Sequence, residues 1–204
     1  FLTSVISWGN RKSIINSSKK IIDYMDYSPY DFIINHTNKD LNKTNRSIHR
    51  TFNLIDLNYF IRSLRNIYKE YGGIEDILSN KNNGDNLQER ISSFKHIFFS
   101  LDYPDRTRKH LPSPLDGSSA KRFNMFLRWM VRTNERGVDF GLWTKIDRSE
   151  LSLPLDLHTG RIGRDLGLLT RKLNDYKSVK EIDLRLREMD PIDPVKYDYA
   201  LFGL

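Results

Sequence analysis

The chain of 204 residues is basic and lacks cysteine, with 33 Lys and Arg against 26 Asp and Glu and a formal net charge of +7. Its length suits one domain, and 38% apolar residues allow a sizeable core. The lack of cysteine excludes disulfides, thiolate zinc sites, iron–sulfur clusters and cysteine nucleophiles from these residues. The positive charge favours an anionic partner such as nucleic acid. No apolar run approaches the length of a membrane span, so we expect no membrane partner.

Helical spacing of apolar residues dominates the chain. The chain opens on "FLTSVISW", which is apolar and has no Met. We therefore expect an N-terminal segment of the full protein to be missing. Helices are predicted in "DLNYFIRSLRNIYKEYGG" (56–73) and "NLQERISSFKHIFFS" (86–100). The polar residues 79–86 between them predict a loop, and only "LSLPLDL" (151–157) suggests a strand. The pattern predicts an all-α fold.

The densest positive charge lies between Arg106 and Arg136, a stretch that contains eight Lys and Arg but only two Asp and Glu. A helix is predicted up to about Arg132, with Ser118 or Ser119 as its N-cap. Its core face is predicted to carry Phe123, Phe126, Leu127 and Met130. Its opposite face is predicted to carry Lys121, Met125, Arg128 and Arg132. We expect the basic residues of this face to point away from the core, as a stripe that contacts phosphate.

Lys121 falls in the first turn of this predicted helix. The helix dipole disfavours a cation there, which favours the neutral, nucleophilic form of the amine. The free N–H groups of the same turn also suit a phosphate. The alternative is an ordinary solvated lysine on a basic face.

The stretch "PLDLHTGRIGRDLGL" (154–168) places Asp156 directly before a predicted helix that ends near Gly167. Asp156 suits the N-cap, but its apolar neighbours predict a partly dry carboxylate, which either holds its proton or needs a cationic partner. Gly160 and Gly163 weaken the helix and so predict a close approach by another helix or a ligand. His158 is either a donor to phosphate or base, or a structural residue. One His near one Asp is too little for a metal site.

These motifs resemble the helix-hairpin-helix DNA glycosylases, the superfamily of endonuclease III and 8-oxoguanine glycosylase. "PLDLHTGRIGRDLGL" is similar to their "V-D-T-H-V…R-L-G-L" segment, and "GSSAKRFN" (117–124) to the "G-x-K-x-x-N" end of their hairpin. Together with "GVDFGLW" and "DPIDPVKYDYALFG", they resemble an uncharacterised bacterial family of this superfamily. The interval from Lys121 to Asp156 is similar to that of archaeal 8-oxoguanine glycosylases. The resemblance implies a glycosylase-like helical bundle with Lys121 and Asp156 as the catalytic pair.

The implied activity is excision of a damaged purine such as 8-oxoguanine from double-stranded DNA, with AP lyase activity, in base-excision repair. The implied DNA-binding residues are Asn10, Arg122, Arg128, Arg132, His158 and Arg161. An aromatic pocket for the extruded base would comprise Trp129, Phe140 and Trp143, for each of which core packing is the alternative. No organic cofactor or metal is implied, although carbonyls of the hairpin offer a site for a monovalent cation.

Residues 1–204 are predicted to form one glycosylase-like domain, or two helical subdomains with a cleft between them. We expect a monomer in the bacterial cytoplasm, associated with the nucleoid. Two other hypotheses stay open. The chain is either a nucleic-acid-binding protein that kept the fold without the activity, or a structural or interaction module with a merely solvated basic face.

Overall fold

A computed structural model describes residues 1–41, 46–133 and 137–204, and these residues are mostly helical. The predicted all-α class is therefore confirmed, and none of the described helices has the length and apolarity to cross a bilayer. Arg136, part of the predicted basic run, lies outside the described residues. Contacts divide the chain into a first unit, residues 1–77 and 94–111, and a second unit, residues 78–93 and 112–204.

The described residues of the first unit form four complete helices and one small hairpin. Its elements are α1 (Leu2–Val5), α2 (Arg11–Tyr24), α3 (Pro29–Asn35), β1 (Ser47–His49), β2 (Phe52–Asn53), α4 (Leu54–Glu70) and a 3-10 segment (Asp105–His110). The core is aromatic, because the buried rings of Phe52, Phe60 and Phe98 pack edge to face. The helix predicted in 56–73 is confirmed as α4.

Sequence analysis missed the hairpin formed by β1 and β2. The two strands pair antiparallel, and Arg50 in the connection adopts a left-handed conformation with φ 49°. Strands of three and two residues are too short to produce an alternating pattern.

Two helices contribute residues to both units. They are α5 (Ile74–Ser79) and α6 (Leu87–Phe98). The helix predicted in 86–100 is confirmed as α6. The polar stretch between α5 and α6 contains a 3-10 turn at Lys81–Asn83, because the Asn80 side chain accepts a hydrogen bond from the backbone N–H of Asn82.

Four further helices lie in the part of the second unit that the structure describes. They are α7 (Lys121–Val131), α8 (Leu157–Asp165), α9 (Tyr176–Met189) and α10 (Asp198–Gly203), with 3-10 turns at Arg148–Glu150 and Pro194–Tyr197. Their core consists of aliphatic residues, namely Leu153, Leu155, Ile162, Leu169, Val179, Ile182, Leu186 and Leu201. Burying these side chains is the main force that holds α8, α9 and α10 together.

The strand suggested at 151–157 was wrong. This segment is extended, but it pairs with no strand in the part of the chain that the structure describes. Its buried leucines, Leu151, Leu153 and Leu155, anchor an extended linker whose last residue is Asp156.

Candidate active site in the second unit

Lys121 and Asp156, far apart in the sequence, meet in the structure. The Lys121 Nζ atom lies 3.7 Å from Asp156 Oδ2, and the two side chains are 35% and 30% exposed. Lys121 is the first residue of α7, and Asp156 is the N-cap of α8. The beginnings of two helices thus bring an amine and a carboxylate together where solvent and ligands can reach them.

The two oxygens of Asp156 have different partners. Oδ1 accepts hydrogen bonds from the backbone N–H groups of His158 (2.9 Å) and Thr159 (3.0 Å), and the Thr159 hydroxyl accepts one from the Asp156 N–H. This capping box satisfies the first N–H groups of α8. Oδ2 faces Lys121. The predicted need for a cationic partner is met by Lys121.

Neighbouring side chains fix the backbone of Asp156. The Asn174 side-chain amide donates to the Asp156 carbonyl (2.9 Å), and its Oδ1 accepts from Arg164 Nη2 (2.7 Å). A Cβ on Gly160 would lie 2.5 Å from Asn174 Oδ1. The close approach predicted at Gly160 is therefore that of the Asn174 side chain.

The start of α7 is built differently from the prediction. The N-cap is Ala120, in a left-handed conformation with φ 47°, and no side chain caps the helix. Ser118 instead accepts a hydrogen bond from the Ala120 N–H (3.1 Å). Ser119 donates to the Leu155 carbonyl (3.3 Å). This last bond joins the segment before Lys121 directly to the segment before Asp156.

A second carboxylate, which sequence analysis missed, interacts electrostatically with this pair. Asp198, at the start of α10, is 8% exposed. Burial raises its pKa, while the positive charges of Arg128 and Lys121 oppose the rise and the negative charge of Asp156 adds to it. The charges of Lys121 and Asp156 thus both act on the Asp198 carboxyl. Its only sequence signal is its place within the motif "DPIDPVKYDYALFG".

The prediction of an exposed basic stripe was wrong for Arg128. Its side chain is buried, with the residue 2% exposed. Nε and Nη2 donate to Asp139 (3.2 and 3.1 Å), Nη1 pairs with Asp198, and the guanidinium lies 4.0 Å from the ring centre of Tyr199. A guanidinium with these partners has little capacity left for phosphate.

Arg132 is also committed to carboxylates. It forms a two-pronged pair with Asp193 through Nε (2.9 Å) and Nη2 (2.8 Å), and Nη1 donates to Asp139 (2.9 Å). Asp193 precedes the 3-10 turn at Pro194–Tyr197, and its side chain makes no capping hydrogen bond there. The stripe prediction failed because the acidic partners lie outside α7, and two of them, Asp193 and Asp198, are 61 and 70 residues away in the sequence.

The remaining DNA-binding candidates occupy different settings. Burial lowers the pKa of the half-buried Arg122 guanidinium, and Arg161 is exposed. His158 Nε2 lies 3.0 Å from the Phe202 carbonyl, and Nδ1 lies 3.4 Å from Arg161 Nη2, which fits an imidazole with its proton on Nε2. Asn10, in the first unit, caps α2 through its side-chain oxygen. Contact of these residues with DNA stays a prediction.

The base-pocket candidates lie near the end of α7. The Trp129 carbonyl accepts from the Phe140 N–H (2.7 Å), and the Met130 carbonyl accepts from the Trp143 N–H (2.8 Å). The Trp143 ring packs edge-on against Phe126 (5.2 Å), which favours the core alternative for Trp143, whereas Phe140 is exposed. Among the described residues, no three His, Asp or Glu side chains form a group that could hold a metal.

Comparison with known protein families gives one assignment. The profile of a family described as "Protein of unknown function (DUF2400)" matches residues 1–204. The chain belongs to the DUF2400 family. No curated protein and no solved structure matches the chain.

In this DUF2400 chain, the site combines an accessible amine, an accessible carboxylate and a second, buried carboxylate. Such a set can transfer a proton between amine and carboxylate, and it can stabilise positive charge that develops on a bound molecule.

Proposed function

We propose that this chain is a DNA glycosylase with AP lyase activity. The observation that carries the proposal is the 3.7 Å approach of Lys121 Nζ to Asp156 Oδ2. The motifs "GSSAKRFN" and "PLDLHTGRIGRDLGL" support it, because they resemble the segments that carry the catalytic pair in helix-hairpin-helix glycosylases.

The proposed reaction uses the Lys121 amine and the Asp156 carboxylate. Lys121 passes a proton to Asp156, and the nitrogen lone pair attacks C1′ of an extruded nucleotide. The bond between C1′ and the base breaks, and the base leaves with the electron pair and takes up the proton that Asp156 received. The Asp156 carboxylate, ionised again, stabilises the positive charge on the sugar. Opening of the sugar ring gives a Schiff base, from which β-elimination cleaves the strand.

The substrate we propose is a damaged purine, such as 8-oxoguanine, in double-stranded DNA. The net charge of +7 supports a polyanionic partner, and Arg122, His158 and Arg161 are the candidates in the second unit for contacts to it. The helix-hairpin-helix arrangement, a monomeric state, a hairpin cation and a location in the bacterial cytoplasm belong to the same proposal.

Borohydride trapping tests the proposal. Wild-type protein with a lesion-bearing duplex should release base and, when reduced, form a covalent protein–DNA adduct. Lys121→Gln should lose trapping and strand cleavage while keeping most of its DNA affinity, because the variant removes the nucleophile and only one charge. Lys177→Gln, an exposed change on α9, is the matched control and should trap normally.

Two outcomes would contradict the assignment. Trapping that persists in Lys121→Gln, or an adduct that maps to Lys109 or Lys145, would show that the nucleophile is another residue. Salt-dependent DNA binding without base release or trapping would favour the non-catalytic nucleic-acid-binding protein.

A further inference from the structure

The guanidinium of Arg50, in the turn of the hairpin of the first unit, has a defined position on the surface. It lies over the half-buried indole of Trp8, with Cζ 4.8 Å from the ring centre. It also lies against Gly9, where a Cβ would come within 2.5 Å of Arg50 Nη2. Because an indole face attracts a cation, the guanidinium is held in place although Arg50 is an exposed residue.

Buried contacts hold the hairpin against the residues that support Arg50. The His49 ring, in a residue that is 2% exposed, has Nε2 2.9 Å from the Trp8 carbonyl oxygen and Nδ1 3.1 Å from the Ser17 hydroxyl. The Ser17 hydroxyl donates to the Ile48 carbonyl (3.0 Å). These contacts tie β1 to the turn between α1 and α2, so the packing of Arg50 on Trp8 is part of the fold.

The N–H groups of Arg50 have no acceptor among the described residues. Its guanidinium contacts the Trp8 ring, but it forms no ion pair and donates no hydrogen bond within that part of the chain. Three other arginines of the first unit instead donate to backbone carbonyls, namely Arg62, Arg65 and Arg106. A guanidinium presents five donors in a planar fork that matches the oxygens of a phosphate or carboxylate. The fork of Arg50 is therefore ready for an anion that the described residues do not supply.

The two segments that form this surface carry positive charge and no negative side chain. Residues 1–22 contain four Lys and Arg, residues 46–55 contain two, and neither stretch contains Asp or Glu. Arg11, Lys12 and Arg46 are exposed. An anion at Arg50 therefore meets no carboxylate from either segment, and several cations without intervening acids suit an extended polyanion.

We propose that the Arg50 guanidinium, stacked on Trp8, binds a backbone phosphate of DNA, which makes this face of the first unit a DNA contact. Arginine that packs on an aromatic ring and keeps its fork free is suited to phosphate and nucleic-acid recognition. An anionic membrane is a poorer match, because the guanidinium covers the Trp8 ring that would have to insert between lipids. The inference rests on the DNA binding in the proposed function, but not on the glycosylase chemistry.

Fluorescence anisotropy with a lesion-free DNA duplex at several salt concentrations tests the proposal. Arg50→Gln should bind about tenfold more weakly and reduce the salt slope by about one unit, because one phosphate contact is lost. Arg50→Lys keeps the charge but not the fork, so it should keep the slope and bind several-fold more weakly. Lys69→Gln is the matched control and should bind as the wild type does, because Lys69 is exposed and lies roughly 20 Å along α4 from the hairpin.

Three results would overturn the proposal. They are a wild type that does not bind the duplex, wild-type affinity and slope in Arg50→Gln, and equal weakening in Lys69→Gln, which would reduce the effect to net charge. Tighter binding to vesicles of phosphatidylserine and phosphatidylcholine than to the duplex, lost in Arg50→Gln, would assign the surface to a membrane instead.

Borohydride trapping on a lesion-bearing duplex separates this proposal from the proposed function. Normal trapping by an Arg50→Gln variant with unchanged DNA affinity would uphold the glycosylase and reject the Arg50 contact. Duplex binding that depends on Arg50, in a wild type that neither releases base nor forms an adduct, would uphold the contact and reject the glycosylase.

Discussion

The sequence left open whether Asp156 caps a helix or takes part in chemistry, and the structure gives its two oxygens different partners. One oxygen caps α8 and the other faces Lys121, so the structural and the chemical interpretations describe two atoms of one side chain. The cap itself suits the chemistry that we propose, because hydrogen bonds from the His158 and Thr159 N–H groups hold the carboxylate in one orientation. An aspartate that caps a helix is therefore held in position by its hydrogen bonds while its second oxygen stays exposed.

Substitutions at Asp156 can separate the two roles. Asn caps a helix about as well as Asp, so Asp156→Asn should change the free energy of unfolding by only a few tenths of a kcal/mol. It removes the negative charge beside Lys121, however, and should nearly abolish base release. Asp156→Ala should lose the activity and also about 1 kcal/mol of stability, because the cap is gone. Urea denaturation and a lesion-duplex assay measure both effects, and full turnover by folded Asp156→Asn would exclude Asp156 from the mechanism.

At the scale of elements, the position of the site depends on how α8 packs. Its two internal glycines face different neighbours: Gly160 faces the Asn174 amide that anchors the Asp156 carbonyl, and Gly163 faces the terminal methyl of Ile182. Both glycines weaken the helix intrinsically. Only Gly160, however, leaves room for a side chain that is bonded to the site.

Alanine at each glycine should therefore have different effects. Gly160→Ala gains about 1 kcal/mol of helix propensity, but its Cβ would displace Asn174 and break the bonds of that side chain to Asp156 and Arg164, at about 1 kcal/mol each. We expect a net loss of about 1 kcal/mol and slower base release. Gly163→Ala, the matched control, only requires a shift of the Ile182 methyl and should stay within about 1 kcal/mol of the wild type. Equal stability and equal rates in the two variants would contradict the anchoring role of Asn174.

At the scale of the whole molecule, the sequence predicted what depends on local pattern. Apolar spacing identified α4 and α6, and the N-cap at Asp156 identified the start of α8. The partners of Arg128 and Arg132 could not be predicted in this way, because helical spacing describes the faces of α7 but not the carboxylates that other segments bring to them. Only the family resemblance linked Lys121 with Asp156, since no local pattern joins the starts of two separate helices.

Net charge is likewise a weak guide to a binding surface unless ion pairs are known. Arg128 and Arg132 contribute to the charge of +7, yet both neutralise Asp139, and each binds one further carboxylate. Charge available to an anionic partner must therefore come from other residues, of which Arg161 is exposed on the same helix as His158.

Alanine substitutions should distinguish Arg128, whose charge is paired within the fold, from Arg161, whose charge is available to a ligand. Arg128→Ala leaves the Asp139 and Asp198 carboxylates buried without their shared partner, and it should lower the free energy of unfolding by about 3–5 kcal/mol. Arg161→Ala should leave stability within about 0.5 kcal/mol. If Arg161 contacts phosphate, this variant should weaken DNA binding for all sequences and reduce the salt slope by about one unit. Urea denaturation and DNA binding at several salt concentrations measure these effects. Wild-type stability in Arg128→Ala would contradict the buried ion pairs, and an unchanged slope in Arg161→Ala would remove Arg161 from the DNA-binding surface.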